Sequence, residues 1–88
     1  MSADAKQFLE QRRLAYLRTF APDDADNQAV LQDLALFCRA NESTFHPDPR
    51  IAAQLDGRRE VYLRLLQHLT LSEEQLWKAL GAPRTKGV

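Results

Sequence analysis

Apolar residues recur along this chain at steps of three and four, which is helical spacing, and no segment alternates apolar and polar residues as a strand would. Three main helices are predicted, at about 3–20, 27–40 and 48–69, with a short fourth between Ser72 and Gly81. Their apolar faces are Leu9, Tyr16, Leu17 and Phe20; Val30, Leu31, Leu34, Phe37 and Cys38; Ile51, Leu55, Tyr62, Leu66 and Leu69; and Leu76, Trp77 and Leu80. The pattern predicts an all-α fold: one domain over 1–88, a small helical bundle of three main helices plus a short C-terminal helix.

Local signals place the helix boundaries. Pro22 disfavours helical geometry at the residue before it, and the aspartates that follow are good N-caps for the second helix. Asp48 is a strong N-cap for the third helix, and Pro49 suits its first position because the missing N–H would have no partner there.

The fourth helix is short but well delimited. Ser72 and Gln75 have the spacing of a capping box, Gly81 suits a left-handed C-terminal cap, and Pro83 prevents continuation. The remaining residues, about 82–88, are predicted to form a frayed tail.

The segment Ser43–Arg50, "STFHPDPR", allows a chemical and a mechanical interpretation. His46 and Asp48 could bind a metal or exchange a proton, but a zinc site needs three or four ligands. The other histidine, His68, lies about twenty helical residues away, roughly 30 Å along a helix. We therefore expect no metal, no cofactor and no catalytic residue in this segment.

The mechanical interpretation treats the same segment as a rigid joint between the second and third helices. Thr44 can satisfy loose backbone groups, Phe45 can enter the core as an anchor, and Asp48 with Pro49 opens the next helix. A rigid surface offered to a partner protein is the remaining alternative.

Arg58 and Arg59 lie on the two edges of the apolar face of the third helix. Guanidinium groups at the edge of a core need acceptors, and Asp33, Asp48 or the carbonyls that end the second helix are candidates. We favour this internal clamp, in which Arg59 supports the joint. Contact of Arg58 with a phosphate or a partner protein is the alternative.

Ala53, Gly57 and Val61 form a strip of small residues on another side of the third helix. Glycine inside a helix costs about 1 kcal/mol relative to alanine, so a close helix approach should offset that cost. We favour an approach by the first or fourth helix of the same chain over one by a second protomer. The strip, with Arg58, is the candidate partner surface.

The chain has 12 basic and 12 acidic side chains, and its net charge of +0 gives no field that would attract DNA or a membrane. The charge is uneven, because residues 21–49 are acidic whereas both flanking segments are basic. This distribution favours internal pairing at least as well as ligand binding.

The sequence gives only broad indications of the cellular compartment. The single cysteine, Cys38, excludes an internal disulfide and fits a reducing compartment, where we expect it to be a small buried hydrophobe. The sequence has no signal-peptide pattern and no membrane span. We expect a soluble protein that acts where it is made.

Short motifs in the central half of the chain resemble a known family: "FC" at 37–38, "STF" at 43–45, "DP" at 48–49 and "GRR" at 57–59 followed by Val61. The family consists of small proteins of tailed bacteriophages and prophages, mainly of the podovirus type, and the resemblance covers about residues 33–69. Asp56 stands where the family more often has Glu. The resemblance implies a phage or prophage origin and no catalytic residue, and leaves the first helix, the capping-box helix and the tail outside the match.

These observations favour a non-enzymatic phage protein that acts through protein–protein interaction, as a structural or accessory factor in virion assembly. Its partners would be phage structural proteins or a second copy of the chain. The alternative is a nucleic-acid-binding packaging or regulatory module that uses Arg58, Arg59 and Arg64. An enzyme is disfavoured because the chain has no Gly-rich phosphate loop and no nucleophile beside a base.

Overall fold

A computed structural model of the 88-residue chain describes residues 1–82. It contains four helices, α1 (Ala3–Thr19), α2 (Ala25–Phe37), α3 (Pro49–Thr70) and α4 (Glu73–Leu80), and the described residues contain no strand. The predicted all-α class and the order of three main helices and one short helix are therefore confirmed. The predicted frayed tail, apart from Ala82, lies outside the described residues.

The predicted cap of α3 is confirmed in atomic detail, and an aspartate caps α2 as predicted, although α2 begins at Ala25 rather than at about residue 27. Asp48 is the N-cap of α3, where its Oδ1 accepts from the Arg50 backbone N–H at 2.9 Å, and Pro49 follows in the first turn. Asp24 caps α2 by accepting from two backbone N–H groups. These carboxylates satisfy amides that have no partner inside their helices, which is why the chain changes direction where it does.

The two ends of α4 also follow the sequence signals. Ser72 Oγ accepts from the Gln75 backbone N–H, and the Gln75 side chain accepts from the Ser72 backbone N–H, which completes the capping box. Gly81 ends the helix with φ 79° and ψ −164°. That combination is available almost exclusively to glycine, so the predicted glycine terminus is correct, although ψ is extended rather than left-handed helical.

The end of α2 differs from the prediction, because the helix stops at Phe37 rather than continuing to Ala40. The Arg39 N–H bonds to the Leu36 carbonyl and the Ala40 N–H to the Ala35 carbonyl, a pair of bonds that defines a Schellman motif. Arg39 occupies its left-handed position with φ 52°. Glycine or asparagine normally marks that position, so the sequence contained no local signal for this terminus.

The helices pack as two unequal groups. Helix α1 packs against both α3 and α4, whereas α2 packs against α3. Leu9 of α1, Leu76 of α4 and His68 of α3 have no exposed surface, and Leu65 joins them as a buried side chain. Leu55 and Cys38 are the other buried core residues, so the predicted burial of Cys38 is confirmed.

Several predicted core positions are wrong. Val30, Phe37, Ile51 and Leu66 are exposed, whereas Leu65 and His68 are buried. Helical spacing identified an apolar face on α3 but not which edge of it the other helices would cover. Packing of α1 against the C-terminal half of α3, where Arg12 and Tyr16 contact His68, is consistent with the burial of Leu65 and His68 there.

Candidate interaction surface

An open apolar groove lies where α1, α2 and α3 meet. It has a volume of about 510 Å³ and is lined by Ala15, Tyr16, Thr19, Phe20, Leu34, Val61, Arg64 and Leu65. Its wall from α1 is stiffened by the neighbouring rings of Tyr16 and Phe20, whose centroids are 6.2 Å apart. The groove is large enough for the side chains of a docked helix, and most of its lining is hydrocarbon.

The rim of the groove exposes large apolar side chains. Val61 of α3 is 70% exposed, and on α2 Val30 and Phe37 are 51% and 57% exposed. These two α2 residues flank Leu34 by one helical turn on either side, so they extend the apolar wall along α2. No residue of α2 is buried. This helix therefore leaves most of its hydrophobic surface in contact with water.

The arginines predicted as an internal clamp have different surroundings. The guanidinium of Arg58 lies over the Phe37 ring, 4.4 Å from its centroid, and within residues 1–82 it makes no hydrogen bond or ion pair with the predicted acceptors. The prediction of a carboxylate or carbonyl partner is therefore wrong for Arg58: an aromatic face replaces it. Arg59 is half-buried and has no hydrogen bond to another described residue.

The strip of small residues is open rather than covered. Ala53, Gly57 and Val61 are all exposed, and a Cβ placed on Gly57 would meet no atom within 4 Å. The expected close approach of the first or fourth helix to this strip is wrong, because α1 packs elsewhere on α3 and α4 packs against α1. The structure brings one member, Val61, into the groove together with Arg64.

The joint between α2 and α3 contains hydrogen bonds from backbone N–H groups to side chains two residues earlier. The Asp48 N–H donates to His46 Nδ1 at 3.0 Å, and the Phe45 N–H donates to Ser43 Oγ at 3.1 Å. Phe45 is 79% exposed, so the predicted core anchor is wrong. Thr44 is half-buried. Local hydrogen bonds and the two prolines are sufficient to hold the turn, which leaves the phenyl ring on the surface.

The acidic middle of the chain is not neutralised by its basic flanks. The ion pairs within residues 1–82 are Arg13–Glu73 at 3.3 Å and the exposed Lys78–Glu74 at 3.6 Å, and both lie outside residues 21–49. The expected internal pairing of that segment is therefore wrong for the described residues. Asp24 and Asp48 cap helices, and the other acids remain on the surface.

His68 is the titratable side chain with the most complete burial. Its Nε2 accepts from Arg12 Nε at 2.9 Å, its Nδ1 donates to the Arg64 carbonyl at 2.8 Å, and its ring stacks on Tyr16 with centroids 4.1 Å apart. Burial lowers the pKa of the His68 imidazole below its ordinary value; the hydrogen bond to the Arg64 carbonyl opposes this, and the nearby Arg12 and Arg64 charges add to it. Burial likewise lowers the pKa of Arg12. With both ring nitrogens engaged, His68 contributes packing rather than an accessible base.

A metal site and a membrane span are both absent from residues 1–82. No group of three or more histidine, cysteine, aspartate and glutamate side chains in residues 1–82 is placed to hold a metal ion. Within the same residues, no helix is long and apolar enough to cross a bilayer. Cys38 is buried at the end of α2.

These features define a small all-α protein whose distinguishing surface is an exposed apolar groove between three helices. Residues 16–80 match the family model described as Bbp19-like phage protein. The match covers most of the chain, which therefore belongs to this phage protein family, as the resemblance indicated. The matched region is wider than residues 33–69 and includes α4, so the capping-box helix is part of the family pattern. Neither the curated proteins nor the solved structures provide a match.

Proposed function

We propose that this phage protein is non-enzymatic and acts by binding other proteins, as a structural or accessory factor in virion assembly. It would act in the cytoplasm of the bacterial host and, if it stays bound, in the virion. The observation that supports this most strongly is the exposure of α2: none of its 13 residues is fully buried, and Val30, Leu36 and Phe37 are each more than half exposed.

Exposed hydrocarbon on this scale favours association. Val30, Phe37 and Val61 are exposed close to the groove, and Leu36, on the other side of α2 from Leu34, is 67% exposed. Water contact with apolar surface costs roughly 25 cal/mol per Å², so a partner that covers these side chains gains that free energy. Large apolar patches with polar rims are characteristic of protein-binding surfaces.

No observation favours nucleic acid as the partner. The Arg58 guanidinium stacks on Phe37, and Arg64 borders an apolar groove rather than a basic stripe. A phosphate-binding surface would need several arginines on one face free of neighbouring acids. The acidic residues of α2 lie next to the same groove.

The test is affinity capture of the tagged protein from cells that produce the phage, followed by mass spectrometry and by reassembly of each recovered component with purified protein. We expect capsid, portal or tail components, and we expect Val61→Asp to lose them. Leu63→Asp is the matched control, because Leu63 is 40% exposed and lies about 200° around α3 from Val61.

Two results would contradict the proposal. One is the absence of any virion component from the capture, with particle assembly unchanged when the gene is deleted. The other is a salt-dependent shift of duplex DNA that Arg58→Ala and Arg64→Ala both abolish, which would establish the nucleic-acid function instead.

A further inference from the structure

Helix α2 presents a stripe in which acidic and apolar residues alternate. Asp26, Val30, Asp33 and Phe37 are spaced by four, three and four residues, so they form one continuous line along the helix. All four are exposed. The line borders the groove, because Leu34 lines the groove and lies one turn from both Val30 and Phe37.

The facing side of the groove has complementary character. On α3, Val61 supplies exposed hydrocarbon and Arg64 supplies a positive charge, and both line the groove. Next to them, Gly57 leaves open space where a side chain would otherwise project. An acidic and apolar helix therefore fits this side of the groove both electrostatically and sterically.

The same chain does not use this complementarity. Within residues 1–82, neither Asp26 nor Asp33 forms an ion pair, and Arg64 forms none either. Within one chain, α2 and α3 are fixed in their relative positions by their own packing and by the joint between them. The acidic and apolar stripe of α2 and the Val61–Arg64 side of α3 therefore both remain exposed, next to each other on the same face.

We propose that a second copy of this chain covers the groove. In a two-fold arrangement, the α2 stripe of each copy lies against Val61 and Arg64 of the other, so every contact occurs twice. This inference names the first partner of the surface described under the proposed function and rests on that surface being an interaction site. The outer faces of the dimer remain available to other phage proteins.

The charges of these two surfaces favour a second copy over an unrelated partner. An unrelated partner requires only the acidic stripe of α2 or only the Arg64 side of α3. A two-fold dimer requires both surfaces on the same face, and this chain presents both. The net charge of +0 also allows two copies to approach without mutual repulsion. The apolar residues supply the affinity and the charge pairs set the register, because exposed ion pairs contribute little affinity themselves.

The first experiment measures the oligomeric state of the purified full chain by sedimentation equilibrium over micromolar to millimolar concentrations. A monomer has a mass of 10.1 kDa, and we expect a concentration-dependent dimer. Val61→Asp should raise the dimer dissociation constant by at least ~10-fold, because it places a carboxylate in a dry contact. Leu63→Asp, on the opposite side of α3, should leave that constant unchanged, and circular dichroism of both variants checks that the helices remain.

The second experiment tests the reciprocal pairing. Asp33→Arg and Arg64→Asp each place like charges opposite one another in a homodimer, so each should weaken self-association by ~3–10-fold. An equimolar mixture of the two variants should restore dimers that contain one copy of each, as detected by native mass spectrometry. Asp33 lies in the second half of α2, where an arginine is also favourable for the helix dipole, so this variant is expected to fold.

A monomeric wild type at millimolar concentration would overturn the dimer and leave the capture experiment as an independent test of the proposed function. Equal weakening by Val61→Asp and Leu63→Asp, or no mixed dimer from the two charge variants, would also overturn it. A dimer that follows the predicted order of variants supports it, even if no virion component is recovered.

Discussion

The two ends of this molecule use apolar residues in opposite ways. At the packed end, Leu9, Leu76 and His68 lose all contact with solvent where α1, α3 and α4 meet. At the open end, α2 buries no side chain and the groove beside it keeps Phe37 and Val61 exposed. The packed end stabilises the fold, whereas the open end keeps hydrophobic surface exposed.

The comparison shows that hydrophobic content does not by itself decide burial. Helix α4 has eight residues and buries Leu76 completely, while α2 has 13 residues with a more apolar sequence and buries none. The apolar residues of α4 lie on one side and α1 covers them, whereas those of α2 are spread around the helix and α3 covers part of them. Position against other helices, rather than composition, separates the two ends.

The largest expected effect is at the packed end. Leu76→Ala should lower the free energy of unfolding by about 2–5 kcal/mol, because it removes buried methyl groups and leaves a cavity. Leu36→Ala, at an exposed position of α2, should change it by less than about 0.5 kcal/mol. Urea denaturation of both variants is the measurement. Similar losses from the two substitutions would mean that the open end is packed as well.

The next effect is a dependence of stability on pH from His68. Its pKa in the folded state is lowered from 6.5 by burial, so the unfolded chain takes up a proton first as the pH falls. The contribution of His68 to the free energy of unfolding is complete above about pH 6.5. Below that pH it declines by at most about 1.4 kcal/mol per pH unit, until the pH reaches the pKa of His68 in the folded state.

Denaturation curves of the wild type and of His68→Leu between pH 5 and 8 isolate this contribution as the difference between the two. A wild type and a His68→Leu variant with parallel pH profiles would show that His68 does not titrate differently on folding.

The third effect compares two aspartate N-caps, one at the start of α3 and one at the start of α2. Asp48→Ala should cost about 1 kcal/mol of global stability, because it removes the acceptor at the start of α3, the helix against which both α1 and α2 pack. Asp24→Ala removes the same kind of cap from α2 and should cost less globally. Its effect should appear as faster amide hydrogen exchange within α2. Equal global costs would show that α2 unfolds together with the rest.

The smallest effect concerns the ion pair that links α1 to α4. Glu73→Gln removes the acceptor of Arg13, at side-chain exposures of 20% and 30%, and should cost about 0.5 kcal/mol. Glu74→Gln is the matched control in the same helical turn, because its pair with Lys78 is almost fully hydrated. Both variants lose the same interaction with the helix dipole, so their difference in thermal unfolding measures the linking pair. A difference of zero would assign α4 docking to Leu76 alone.

Sequence patterns succeeded where the deciding interaction spans a few residues. Asp48 and Ser72 cap the helices that follow them, and Gly81 ends α4, because each acts on backbone groups within three residues. The end of α2 was missed even though it is local, since Arg39 takes a left-handed conformation for which its residue type gives no indication.

Predictions failed where a side chain had a choice of neighbours. Phe45 was expected inside and lies outside, and Arg58 was expected to meet a carboxylate or carbonyl and meets the Phe37 ring. Most of the groove was also missed: Ala15 and Thr19 gave no signal, and Arg64 was considered for nucleic acid alone. Val61 was identified, but as part of a small-residue strip rather than of an apolar groove.

The sequence alone determined the helices, their caps, the phage family and the placement of acidic and basic segments, since these depend on local backbone chemistry and on the order of residues. The tertiary structure decided which helix faces are buried away from water. Burial depends on how helices far apart in sequence cross one another, and this crossing buried His68 between Arg12 and Tyr16 while it left α2 exposed. The groove lies between α1, α2 and α3, and neither α1 nor α2 covers Val61 of α3, which stays exposed there.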